Sequence, residues 1–160
     1  MCRDHDHHKW MQQAIDLSLE KMNAGFGGPF GAVIVKDNKI IAQGYNQVTS
    51  LMDPTAHAEI TAIRSACQTL NSFDLSGCEI YTSCEPCPMC LSAIYWARLD
   101  KIYYANTRQD AAKIGFDDEY FYKEVCSPIE QRNIPCIQIG HEQGLEAFKE
   151  WQNKPDKVLY

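Results

Sequence analysis

Pro54-Thr55-Ala56-His57-Ala58-Glu59 and Thr82-Ser83-Cys84-Glu85-Pro86-Cys87-Pro88-Met89-Cys90 are the two stretches whose reading decides the fold. A zinc ion that does chemistry needs three protein ligands and a fourth position left for water. His57 offers an imidazole nitrogen, and Cys87 and Cys90 offer thiolates. The two cysteines are three residues apart, so a helix starting here puts both sulfurs on one face. Pro86 and Pro88 suit the first turn of such a helix, where no intrahelical amide donor is required. The positive end of that helix favours the thiolate forms. Glu59, two residues beyond His57 at a second expected helix start, is then a non-ligand carboxylate placed to shuttle protons for an activated water.

The spacing admits a closed alternative. Cys84, Cys87 and Cys90 spell Cys-x-x-Cys-x-x-Cys, and with His57 they would complete a four-ligand structural zinc site. A redox pair is a further reading of Cys-x-x-Cys alone. Against the closed site, Glu59 would be an idle carboxylate beside the metal, and Cys84 precedes the proline-started turn. Cys84 is expected to be a packing thiol near the metal.

Working outward from the motifs, the pattern predicts an α/β chain. Met11, Ile15, Leu19 and Met22 recur at helical spacing over Trp10–Ala24, and Gly25 ends the run. Phe30–Val35 and Ile40–Tyr45 flank a short polar turn at Asp37-Asn38 and read as a β-hairpin, with Asn46 at its end. Thr49–Pro54 reads as a loop. The His57 helix runs to Leu70, with Ile60, Ile63, Cys67 and Leu70 expected against a sheet. Glu79–Thr82 and Lys101–Ala105 are short strands on either side of the Cys87 helix, a βαβ unit that makes them parallel. A helical turn is expected at Asp110–Gly115. Ile134–Ile139 reads as a fifth strand, Gly144–Trp151 as a last helix and Asn153–Tyr160 as a tail. The expected architecture is a three-layer α/β/α sandwich around a five-stranded mixed sheet.

Bulk properties narrow the partners. The 160 residues suit one domain, and 45% hydrophobic with 22% charged residues is the composition of an ordinary globular chain. Net charge is −6, and Lys and Arg are scattered without a cluster, so no nucleic-acid partner is expected. No stretch reaches transmembrane length, and no membrane partner is expected. Eight cysteines without an apolar leader point to a reducing, cytoplasmic setting. Met1–Lys9, with Cys2, His5, His7 and His8, is expected to be a solvated, frayed terminus. Cys67, Cys78, Cys126 and Cys136 are expected in packing or surface positions.

Pro54–Glu59 together with Thr82–Cys90 resembles the cytidine-deaminase-like superfamily of zinc-dependent deaminases. The likeness extends to Asn23-Ala24-Gly25, Gly27–Val35, Ala93–Ala97, Gly115-Phe116-Asp117-Asp118 and Tyr160, which look like the bacterial guanine deaminases within it. This resemblance implies a single deaminase domain over 1–160, one Zn²⁺ per subunit, and hydrolysis of guanine to xanthine and ammonia with Glu59 as the proton shuttle. It implies that Asn46 and Asp118 hydrogen-bond the base and that Phe30, Trp96 and Tyr160 line its pocket. It also implies a homodimer with exchanged C-terminal segments, 153–160 serving as a lid over the partner's site. Without the resemblance, Asn46 reads as a turn cap, Asp118 as a solvated charge, and Phe30 and Trp96 as packing. The competing functions are a tRNA adenosine deaminase, a deaminase of another free base such as cytosine, and a zinc-stapled binding module.

Overall fold

A computed structural model describes residues 4–160, with side chains from His7 onward. The backbone falls into two compact units, one reaching Glu119 and one spanning Tyr120–Tyr160. The first contains a four-stranded sheet in the order β2-β1-β3-β4, formed by β1 (Gly31–Lys36), β2 (Lys39–Tyr45), β3 (Cys78–Cys84) and β4 (Lys101–Asn106). β1 pairs antiparallel with both β2 and β3, whereas β3 and β4 are parallel, as the strand–helix–strand pattern required. The hairpin turns at Asp37-Asn38, both with positive φ (49° and 59°), the tight turn that Asp and Asn tolerate best.

Alternation along β1 sorts the core into two faces. Val33 and Val35, with Tyr81 of β3, pack against Trp10 and Ala14 of α1 (Asp4–Asn23). Ala32 and Ile34, with Ile80, pack on the opposite face against α3 (Ala58–Leu70) and against Ile94 of α4 (Pro88–Trp96). The mixed α/β architecture with helices on both faces therefore holds, and the sheet has four strands where five were expected.

Three details of the sequence reading are corrected and one is refined. Ile134–Ile139 is rich in isoleucine like a strand but joins no ladder among the described residues; Pro135 removes a donor, and an apolar run without a paired neighbour does not make a strand. The segment 49–54 contains a helical turn, α2 (Val48–Leu51), ended by Met52 in the left-handed region. On α3 the expected Ile63, Cys67 and Leu70 do pack, half-buried, against the core, Ile60 is partly buried, and the most buried stripe is Ala58, Glu59, Ala62 and Ala66. Its buried face is set by small side chains, which a hydrophobicity pattern undervalues. Finally, α1 begins at Asp4, and the frayed-terminus reading fails for its described part. His7 Nδ1 is hydrogen-bonded to Tyr81 Oη at 2.6 Å, and the His7 ring lies 4.7 Å from that of Tyr103. Cys2 and the His5 side chain lie outside the described residues.

The remaining helices are α5 (Arg108–Lys113), α6 (Glu119–Cys126) and α7 (His141–Asn153). α5 opens on a reciprocal cap, Thr107 Oγ1 accepting from Asp110 N at 3.2 Å and Asp110 Oδ2 accepting from Thr107 N at 3.1 Å. Within Tyr120–Tyr160, neither α6 nor α7 buries a residue. No described helix is long and apolar enough to cross a membrane.

α3 lies so close to β2 that Gly44 has no room for a side chain. A Cβ there would sit 2.2 Å from Ala58 O and 2.3 Å from Ala62 N. Both contacts are backbone, so relief requires the helix to move. Gly44→Ala is expected to destabilise the protein by about 1–3 kcal/mol or more, read as a lowered urea midpoint with an unchanged m-value.

Candidate metal centre

Two helix starts meet at the carboxyl end of the parallel strand pair. His57 is the N-cap of α3 and Cys87 the N-cap of α4, both with extended backbone, and Pro88 is the first helical residue of α4. β3 feeds this corner directly. Cys84 pairs with Asn106 in the ladder, Glu85 N donates to Asn106 O at 2.8 Å, and Glu85 Oε2 accepts from Arg108 N at 3.0 Å. The turn that delivers Cys87 is thereby tied to β4 and α5.

The ligand atoms of His57, Cys87 and Cys90 all lie within 4.8 Å of one another. His57 Nδ1 is 3.6 Å from Cys87 Sγ and 3.5 Å from Cys90 Sγ. A tetrahedral ion with bonds of about 2.05 Å to nitrogen and 2.3 Å to sulfur sets nitrogen–sulfur edges of about 3.6 Å. The donor types and their spacing therefore fit zinc, with three protein ligands and one position left over.

Cys84 does not join them. It is buried, and its thiol donates to Thr107 O at 3.7 Å. Burial, followed by the negative charges of Glu59 and Asp118, pushes this thiol up to about 11, so it stays protonated at neutral pH. The closed four-ligand reading fails on this geometry.

The other thiols behave as a proton-sharing pair. Cys87 is drawn down to about 4, chiefly by a hydrogen bond from Cys90 and then by His57, against the opposing effect of burial. Cys90 is held far up by the Cys87 sulfur beside it, by burial and by Glu59. His57 is raised, chiefly by its bond to Cys87. A dication placed among the three substitutes for the protons that they would otherwise share.

Glu59 sits in the first turn of α3 with 6% of its surface exposed. Desolvation is the largest influence on it and, with the Cys87 sulfur adding, lifts its carboxyl to about 7; its own backbone N–H, His57 and a hydrogen bond from Cys90 pull the other way. A buried carboxyl group poised near neutrality beside a metal corner can both take and return a proton.

Asn46 is equally buried, at 6% exposed, directly after β2. Its Oδ1 accepts from Gly28 N at 3.2 Å and from Val48 N at 3.3 Å. Asp118 is partly buried, and desolvation, followed by the Cys87 charge, raises its carboxyl. Phe30 packs partly against the core and meets Phe116 edge-to-face at 4.9 Å. Trp96, the last residue of α4, is 67% exposed, and Tyr160 in the second unit is 72% exposed. The structure thus gathers His57, Glu59, Cys87 and Cys90 at one corner. Sequence reasoning missed the Gly27-Gly28 contact with Asn46 and the Phe116 ring as partner of Phe30. The run Gly27-Gly28-Pro29 before a strand was the available signal.

Residues 4–106 match the family model described as "Cytidine and deoxycytidylate deaminase zinc-binding region". A guanine deaminase of Bacillus subtilis (strain 168) is 53% identical over 155 residues, covering 97% of this chain and 99% of that protein. The X-ray structure of guanine deaminase from Bacillus subtilis superposes with a TM-score of 0.94, covering 96% of this chain and 98% of that one. A tRNA-specific adenosine deaminase of Aquifex aeolicus is 48% identical over 77 residues, which is 48% of this chain and 51% of that protein.

Zinc content separates ligand from neighbour. Cys84→Ser is expected to retain one zinc per chain, and Cys87→Ser or Cys90→Ser to lose most of it, measured by metal analysis after dialysis.

Proposed function

Because this chain belongs to the zinc-binding cytidine and deoxycytidylate deaminase family, we propose that it hydrolyses guanine to xanthine and ammonia. The single observation that carries the choice of guanine is the near-complete coverage, on both sides, of the guanine deaminase match. The tRNA-specific matches are shorter or weaker, 48% identical over about half of each chain or 37% identical over 70% of this one, and the net charge of −6 lacks the basic excess expected for a polyanionic substrate.

His57, Cys87 and Cys90 would hold the zinc, whose charge makes a water molecule acidic near neutral pH. Glu59 would take one proton from the attacking water and pass it to a ring nitrogen as the water oxygen bonds the ring carbon that bears the amino group. It would then carry the second proton from that oxygen to the amino nitrogen, whose bond to the ring carbon breaks, so that water and guanine account for every atom of xanthine and ammonia. Burial serves this cycle, since desolvation favours the neutral carboxyl that must hold the proton before returning it. Asn46 and Asp118 bind the edge of the base, the amide as donor and the carboxylate as acceptor for ring N–H groups. Phe30 and Trp96 line the pocket, and Tyr160 of the partner subunit covers it in the exchanged dimer.

The active form in this reading is a homodimer with exchanged C-terminal segments, within a single deaminase domain over 1–160. The exposed apolar side chains of the second unit support it. Ile134, Ile137, Ile139, Phe148, Trp151, Val158 and Leu159 are all exposed, although a chain of this composition should bury most of them. A second copy is the partner that exchange supplies without any new surface. Residues 153–160, ending in Tyr160, act as a lid. The described cysteines are all free thiols, which suits a cytoplasmic location.

Ammonia release from zinc-loaded protein tests the reaction, with guanine, adenine, cytosine and a tRNA offered in parallel. Guanine alone should be turned over, and Glu59→Gln should lower kcat by about a hundredfold or more at unchanged zinc content. Release from tRNA or cytosine in place of guanine would overturn the substrate assignment. Deleting Asp156–Tyr160 should depress turnover while leaving the melting temperature nearly unchanged; full turnover in the truncated protein would sink the lid.

A further inference from the structure

Asn46 is more than nine-tenths buried, yet only half of its amide is used. Only the carbonyl oxygen of an amide can accept from an N–H group, so the bonds from Gly28 N and Val48 N fix which end is which. Oδ1 is turned toward the backbone, and Nδ2 faces away from it. Those bonds use neither Nδ2 hydrogen, and no buried side-chain nitrogen or oxygen among the described residues is left unpartnered. Nδ2 therefore keeps the small exposed fraction of the residue and presents donors only.

The backbone that holds this orientation has no room for side chains. A Cβ on Gly27 would lie 2.4 Å from Asn46 O and 2.5 Å from Asn46 Oδ1. One on Gly28 would meet the Phe116 and Phe30 rings at 3.2 Å. The Gly27-Gly28 pair thus lies against Asn46 on one side and the Phe30–Phe116 ring pair on the other. We infer that Gly27 and Gly28 are positioning residues, which lock the Asn46 amide so that only an acceptor atom of the bound base can face it. The inference rests on Asn46 being a base-binding residue, and it adds a direction to that contact. A base presenting a donor at this point would leave two buried N–H groups unpaired and would be rejected.

Two variants test this by separate routes. Gly27→Ala displaces the amide, while Asn46→Asp keeps the shape and both backbone bonds but replaces the donor group by an acceptor. Kinetics are measured on whichever of guanine, adenine and cytosine the wild type deaminates fastest. A preference for adenine or cytosine would fail the guanine assignment while leaving the comparison of variants intact. Both variants are expected to raise KM by about 10- to 100-fold, with kcat within a few-fold of wild type and with zinc content unchanged. That split marks lost binding that is equal in the ground and transition states, which a general loss of structure would not produce. If Gly27→Ala lowers the melting temperature, Asn46→Asp alone decides. An unchanged KM in Asn46→Asp, or a fall in kcat alone, would overturn the inference.

Discussion

Everything at the metal corner depends on how closely α3 lies on the sheet. The approach is set by what is missing: Gly44 has no side chain, and Ala58, Ala62 and Ala66 turn only methyl groups toward the strands. The helix start consequently falls where β2 ends, with His57 and Glu59 brought to the same level as Asn46. Larger residues in that stripe would lift α3 and carry both the ligand and the carboxylate away from Cys87 and Cys90. Packing density here is the means by which catalytic geometry is held.

The corner is electrostatically coherent. Two helix amino ends point into it, favouring negative charge on the sulfurs. Two thiols, an imidazole and a buried carboxyl form a set that cannot all ionise at neutral pH on their own, as the opposed tendencies of Cys87 and Cys90 display. A dication resolves that conflict. Cys84, a short distance along the chain, escapes the set because its sulfur is turned to the Thr107 carbonyl.

The legible part of this protein was the part governed by chemistry and period. His57, Cys87 and Cys90 were marked by ligand type and spacing, and the hairpin by Asp37-Asn38 between apolar runs. The parallel β3–β4 pair followed from the length of the connection. What the sequence hid was governed by contact with distant residues. On α3 the isoleucine, cysteine and leucine that pack on the core were visible, but the more deeply buried alanines beside them were not, because alanine carries little hydrophobic signal. Ile134–Ile139 has the β-branched residues of a strand without a ladder, since a strand is a property of two paired segments and not of one. The early start of α1 was missed because His7 finds its partner 74 residues away on Tyr81. Asn46 was visible as a residue at a hairpin end, but the direction of its amide required the backbone of Gly28 and Val48.

The antiparallel pairing of β1 with β3 has a consequence for the chain's entropy. Gly31 N reaches Ser83 Oγ across 52 residues, closing a long loop in which His57 is enclosed. The contact between His57 and Cys87 closes a shorter loop of 30 residues that shares most of the same segment. Loop-closure cost grows only with the logarithm of length and is largely shared once one of two overlapping loops is shut. Sheet pairing and ion capture therefore draw on one conformational restriction. Whichever forms first leaves the other less freedom to remove, so this polypeptide gains its tertiary order and its cofactor as two faces of a single closure.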